Sequence, residues 1–231
     1  MEELSTNMRM DAYNQLKYQI LHGVYYPGQK ISEKIVSQDL GIGRTPVREA
    51  IIRLERYSLV EVVPQSGTYV TKIDLKSAET AQFLRRKIDP DVLLQFSINA
   101  SDDMFKKVEK NLARQKQAAK EGNNNLFFDL DEEFHKLFYI GAGREMIWDW
   151  LQMINMHLNR YRWLRLEVAK LNWDTLLDQH NGIYQAVKER NVEGVRFTAE
   201  SHLRLMLTEL PSLLEKFPDY FDQNTELDDQ K

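Results

Sequence analysis

From Met10 to His22, apolar residues fall at positions 12, 13, 16, 20 and 21, the spacing of one helix face, and Gly23 supplies a stop. Tyr25 to Lys30, with Pro27 and Gly28, is punctuated as a turn. Ser32 then offers an N-cap for a helix over 33–40 that Gly41 terminates. A third helix is predicted over 46–58, with Thr45 as its cap and Pro46 at its first position, where a missing N–H costs nothing. The pattern then changes character. Leu59 to Val63 is a β-branched run, Pro64 to Gly67 a turn, and Thr68 to Thr71 a second run, which together predict a hairpin. Three helices and a hairpin make a winged helix-turn-helix. From Asp74 onward the periodicity is helical, with helices predicted over 76–98, 102–121, 124–140, 143–169, 173–190 and 192–215. The predicted class is mostly α: a winged helix-turn-helix domain over 1–73, an all-helical domain over 74–217, and a polar, acidic tail over 218–231.

Composition supports two folded domains. The 231 residues are 42% hydrophobic, well above what a disordered chain carries. The net charge of −4 conceals an uneven distribution. Residues 9–73 hold nine Lys/Arg against six Asp/Glu, whereas the chain from 74 onward holds 22 against 27. Contact with phosphate depends on the charge within about 10 Å, so the basic N-terminal part is the one suited to nucleic acid. There are no cysteines, which excludes disulfides and thiolate metal sites. The absence of a signal-type or membrane-spanning apolar run predicts a soluble, cytoplasmic protein with no membrane partner.

Two groups of residues carry candidate chemistry. Arg44 lies just before the predicted third helix and Arg48 in its first turn, so a helix entering a major groove N-terminus first aims both guanidinium groups at base edges or phosphates. Arg53 and Arg56, later in that helix, read as solvated or phosphate-facing charges, and Glu49 as a partner for a nearby Arg. In the second domain Asp131 and His135 are four apart and share a helix face, while His180 and His202 stand in the last two long helices. One carboxylate and three imidazoles suit a divalent ion such as zinc, nickel or manganese. By spacing alone an Asp-x-x-x-His pair often arises by chance, and a lone helical histidine is more often a polar core or surface residue than a ligand.

A family resemblance narrows the choice. The runs LHGVYYPGQKISE (21–33), LGIGRTPVREAIIRLE (40–55) and LVEVVPQSGTYV (59–70) resemble the DNA-binding domain of the GntR family of bacterial transcription regulators. That resemblance implies DNA contact by Lys34, Arg44, Thr45 and Arg48, and entry of the wing tip at Gly67 into the minor groove. The family often has Arg where this chain has Lys34, and a Lys lacks the planar fork that reads a base, so phosphate is its expected target. The segments around Asp131 to Leu137, Gln179 to Ile183 and Ser201 to Leu203 resemble the FCD effector domain of the FadR subfamily, an antiparallel helical bundle that also carries the dimer contact. The resemblance implies that Asp131, His135, His180 and His202 hold a metal ion and that Arg85 binds a small organic acid effector; the competing role for Arg85 is a salt bridge with Asp89. His22 and His157 fall outside this pattern and are expected to be structural.

The expected function is a ligand-responsive, dimeric transcription regulator, a repressor, on an inverted-repeat operator in double-stranded DNA. Three alternatives are a metal-dependent hydrolase with a DNA-binding appendage, a nucleoid-type binder without an effector, and a regulator whose ion is purely structural.

Overall fold

The computed structural model describes residues 2–168, 173–208 and 210–222. The chain divides into two compact units: Met1–Ala78 with Met156–Tyr161 and Phe217–Lys231, and Glu79–Asn155 with Arg162–Lys216.

The first unit contains α1 (Glu2–Leu21), α2 (Glu33–Leu40) and α3 (Arg44–Glu55) with strands β1 (Lys30–Ile31), β2 (Val60–Val63) and β3 (Gly67–Val70). The Ser32 hydroxyl accepts the Ile35 N–H at 3.2 Å, and Gly41 turns left-handed at φ 66°, so α2 starts and stops where its sequence signals stand. Helix α3 begins earlier than predicted. Gly43 is its N-cap and no side chain caps it, so Thr45 is inside the helix rather than its cap. Pro46 is still tolerated because the first i→i−4 bond is donated by Val47, to the Gly43 carbonyl. The helix ends at Glu55, and Ser58 adopts φ 55°, ahead of the predicted boundary. Strands pair antiparallel in the order β1-β3-β2, with Val60 opposite Val70 and Val63 opposite Gly67. The strand β1 has two residues, too few to show a period. Leu16, Ile20, Val36, Val47, Leu54, Leu59 and Val70 form the core, and Met156 packs among them.

Residues 156–161 and 217–222 belong to this unit. His157 Nδ1 accepts the Asp74 N–H at 3.0 Å, and Arg160 donates to the Thr71 carbonyl at 2.6 Å. Residues 218–222 are not the free tail that polarity predicted. Pro218–Tyr220 is a 3-10 turn, Phe221 is buried, and Ile73 donates to the Tyr220 carbonyl at 2.8 Å. The rest of the predicted tail, 223–231, lies outside the described residues.

The second unit is helical throughout the described residues. It is built on α4 (Leu75–Asn99), α5 (Asp102–Glu121), α6 (Asn124–Gly141), α7 (Glu145–Ile154), α8 (Met156–Val168), α9 (Trp173–Lys188), α10 (Val192–Thr208) and α11 (Leu210–Lys216), with α4 and α8 begun in the first unit. Helix α5 packs on α6 and α9, and α9 on α10. Phe96, Phe134, Phe138, Trp148 and Tyr184 fill the centre. The single helix predicted over 143–169 is two helices, broken at the fully buried Asn155 with no Gly or Pro to announce it.

Candidate functional site

Helix α3 presents a divided surface. Val47, Ala50, Ile51 and Leu54 face the core, and the opposite face carries the basic residues. Lys34, Arg44, Thr45 and Arg48 are all exposed on α2 and α3. The Arg48 side chain is 70% exposed, its Nε 3.7 Å from Glu33, a loose pair that a phosphate or base can replace. Glu49 does partner an arginine, Arg9, at 2.9 Å. Arg53 is committed within the unit: its guanidinium lies 4.0 Å from the Tyr13 ring centroid and contacts Met10. Gly67 opens β3 at φ 144°, where an added Cβ would stand 2.6 Å from Lys30 Cε. Lys30 itself, also over the Tyr69 ring, is an exposed cation beside the wing that its position in a turn did not single out.

In the helical unit, four residues from three helices converge. Asp131 and His135 come from α6, His180 from α9 and His202 from α10; all are buried, and one ligand atom from each lies within 4.8 Å of the others. His135 Nε2 and His202 Nε2 are 3.3 Å apart, and His180 Nε2 is 3.1 Å from Asp131 Oδ1. Two donors held by one ion at about 2.1 Å each stand about 3.0–3.4 Å apart, and both separations fall in that range. The outward nitrogens are tied down: His180 Nδ1 contacts Gln115 Oε1 at 2.7 Å and His202 Nδ1 contacts Gln179 Oε1 at 3.0 Å. An amide oxygen only accepts, so each Nδ1 carries the hydrogen and each Nε2 keeps its lone pair toward the cluster. Gln115 is held in turn, donating to Asn111 Oδ1 at 2.7 Å, and Asn111 donates to Glu133 at 2.9 Å. Burial, reinforced by the charges of Arg162 and Arg85, drives the His180 pKa down to about 3; burial first, then Arg85 at His135 and the His180 ring at His202, lower these two well below the ordinary range. The imidazoles are neutral bases, the form that binds a metal. Gln115 and Gln179 were not singled out in the sequence. The available signal for Gln115 was its place, with Asn111, on the apolar face of α5 between Val108 and Ala118.

Arginines surround the cluster. Arg85 is fully buried, with Nε 3.1 Å and Nη2 2.9 Å from Asp89, whose other oxygen accepts the Tyr139 hydroxyl at 2.5 Å. The i, i+4 pair with Asp89 is therefore present, in the interior rather than on the surface, while Arg85 Nη1 has no hydrogen-bond partner among the described residues. Arg162 on α8 donates to Asp131 Oδ2 and to Glu132 Oε1. Two small recesses meet at His202. One is lined by Asp89, His135, Tyr139 and apolar residues, the other by Phe127, Phe128, Asp131, Arg162 and Arg165. Their free space is about 10 Å³ and about 20 Å³, room for a water-sized group. Glu132 and Glu133, the carboxylates that a hydrolytic reading would draw on as general base, are engaged by Arg162 and Gln152 and by Asn111 and Arg114 respectively.

Comparison with known proteins identifies both domains. Residues 9–70 match the family model described as bacterial regulatory proteins, gntR family, and residues 81–205 match the FCD domain. The HTH-type transcriptional repressor RspR of Escherichia coli K12 is 28% identical over 211 residues, covering 91% of this chain and 92% of that one. An HTH-type transcriptional regulator in an unstable DNA locus of Streptomyces ambofaciens is 30% identical, covering 92% and 89%. Among solved structures, E. coli McbR/YncC superposes with a TM-score of 0.78 over 91% of this chain and 98% of that one, at 17% identity, which supports the fold.

Proposed function

The chain belongs to the gntR family of bacterial regulatory proteins and carries an FCD domain, and from that premise we propose that its helical unit senses a small organic acid through a bound divalent metal ion. The protein is a DNA-binding transcription regulator. The metal reading is carried by the convergence of Asp131 with three buried imidazoles, one ligand atom of each within 4.8 Å of the others, and by the opposite nitrogens of His180 and His202 being fixed by Gln115 and Gln179. Asp131, His135, His180 and His202 hold the ion; their nitrogen and oxygen donors suit zinc, nickel or manganese. Bound there, the ion supplies a Lewis-acid contact for one acidic oxygen of the effector. Arg85, buried and with an Nη1 atom to spare, is a further anchor for the acid.

In the DNA-binding unit, Arg44 and Arg48 reach base edges or phosphates, Thr45 and Lys34 contact the backbone, and the turn before Gly67 enters the minor groove. The protein acts as a homodimer on an inverted repeat. The exposed face of α7, with Met146 (65%), Trp150 (56%), Met153 (43%) and Ile154 (42%), is an apolar surface suited to a second copy. Repression is the proposed sign, as in the name of the E. coli relative RspR. Effector binding changes operator affinity by about 5–150-fold, the range that a coupling of about 1–3 kcal/mol gives.

The test is a thermal-shift screen of small carboxylic acids on metal-loaded and chelator-treated protein, followed by gel shifts with any stabilising acid. An acid that stabilises only the metal-loaded form and alters operator affinity supports the reading. Metal without any responding acid leaves the purely structural ion.

A further inference from the structure

The wing turns on a residue whose side chain is at odds with its backbone. Val63 stands opposite Gly67, leaving Pro64, Gln65 and Ser66 as the tip, and the Ser66 N–H closes the turn on the Val63 carbonyl at 3.1 Å. Proline presets φ at the first central position, and Gln65 follows at φ 60°, the left-handed second position of a type II turn. Glycine or asparagine is the usual occupant there, because a longer side chain strains the backbone. Strain kept at an exposed tip points to a use for the side chain.

The other groups at the tip are apolar or engaged. Pro64 has no N–H, and the Ser66 hydroxyl shares a hydrogen bond with the Tyr69 hydroxyl at 2.7 Å. Gln65 is exposed, and its amide has no hydrogen-bond partner among the described residues. Behind it, Lys30 stands opposite Tyr69 in the β1–β3 pairing and lies against Gly67, with Cε 2.6 Å from where a Cβ would stand. The Lys30 ammonium is exposed and has no ion pair among the described residues. The tip therefore carries one free carboxamide with a cation beside it.

In the minor groove a G·C pair presents the guanine N3 acceptor next to the N2 amino donor, whereas an A·T pair presents acceptors alone. A carboxamide holds a donor and an acceptor side by side, so it satisfies both guanine groups at once and only one group of an A·T pair. We propose that Gln65 reads a guanine beneath the wing through its N3 and N2 groups, with Lys30 on a neighbouring phosphate. This rests on entry of the wing into the minor groove and adds the residue that reads, the base and the edge it reads.

The experiment uses duplexes selected from a randomised pool by the full-length wild-type protein. Hydroxyl-radical footprinting locates minor-groove protection flanking the recognition-helix contacts. Each guanine in that flank of one half-site is then replaced singly by inosine, which lacks the N2 amino group and leaves the major-groove face unchanged. Binding is measured by fluorescence anisotropy. One such replacement is expected to weaken wild-type binding about 5–150-fold, the range of one two-pronged contact between a side chain and a base. Gln65→Gly, which suits the left-handed turn, is expected to keep the melting temperature and to bind the guanine and inosine duplexes alike. Lys30→Ala is expected to weaken both equally and preserve their ratio. A flank without guanine, a wild-type ratio near one at every protected position, or a ratio that survives Gln65→Gly overturns the proposal. Flanking protection without an inosine effect refutes base reading by Gln65 alone. A footprint with no flanking protection refutes entry of the wing into the groove and this inference together.

Discussion

His135 and His202 point their Nε2 atoms at one another across 3.3 Å. At His202 the opposite nitrogen already donates to Gln179, so its Nε2 is a lone pair. Two neutral imidazoles held in this way interact weakly with each other and strongly with a cation placed between them. Replacing His180 or His202 by Ala is expected to remove most bound metal, measured by elemental analysis after dialysis. Gln115→Leu keeps all four ligands and is expected to weaken metal binding about 10–100-fold by freeing the His180 ring. Full occupancy in the histidine variants would mean that the ion, if any, sits elsewhere.

Arg48 is exposed, and its pairing with Glu33 is loose. Arg48→Ala is expected to cost about 1–3 kcal/mol of operator binding in a gel shift while the melting temperature holds. Lys34→Ala, by removing a phosphate contact, should weaken binding on every sequence alike and lower the salt dependence by about one unit of slope.

Gly67 carries a backbone conformation that residues with a Cβ rarely adopt. Gly67→Ala is expected to destabilise the N-terminal unit by about 1–3 kcal/mol in denaturant melts. Truncating Lys30 in addition, which removes the clash, should leave most of that loss in place, because the strain resides in φ.

His157 is buried, accepts the Asp74 N–H, and has its pKa lowered to about 4 by burial first and by Arg160 next. A depressed histidine pKa means that the fold prefers the neutral ring, so its stabilisation is complete above about pH 6.5 and is lost as the pH falls toward 4. Between pH 8 and pH 5 the wild-type protein should therefore lose about 2 kcal/mol more than His157→Gln, which keeps an acceptor for Asp74. Parallel pH profiles in chemical denaturation would contradict this.

The N-terminal unit was legible because its hydrophobic period switches from helical to alternating at residue 59, and because Ser32, Gly41 and Gly67 stand where the backbone demands them. The start of α3 was misplaced because Thr45 and Pro46 resemble a cap and a first helical residue, whereas Gly43 serves as cap through its backbone alone. The break at Asn155 has no Gly or Pro to mark it, and the residue that follows, Met156, packs into the other core. The ligand residues were visible as a carboxylate and three histidines at recognisable positions. Arg160, Arg162 and Arg165 were invisible as interior groups, because arginine is ordinarily a surface residue. Their burial follows from three-dimensional pairing with Thr71, Asp131 and the recess, which a linear pattern does not encode.

Helix α8 begins inside one unit and finishes inside the other. A fragment ending at residue 78 thus lacks Met156, His157, Arg160 and Phe221, parts of its own interior supplied from much later in the chain. Exchanging such a reading head between related regulators will succeed only if those distant turns travel with it. The seam at which the protein can be recombined is spatial and does not coincide with any single point along the gene.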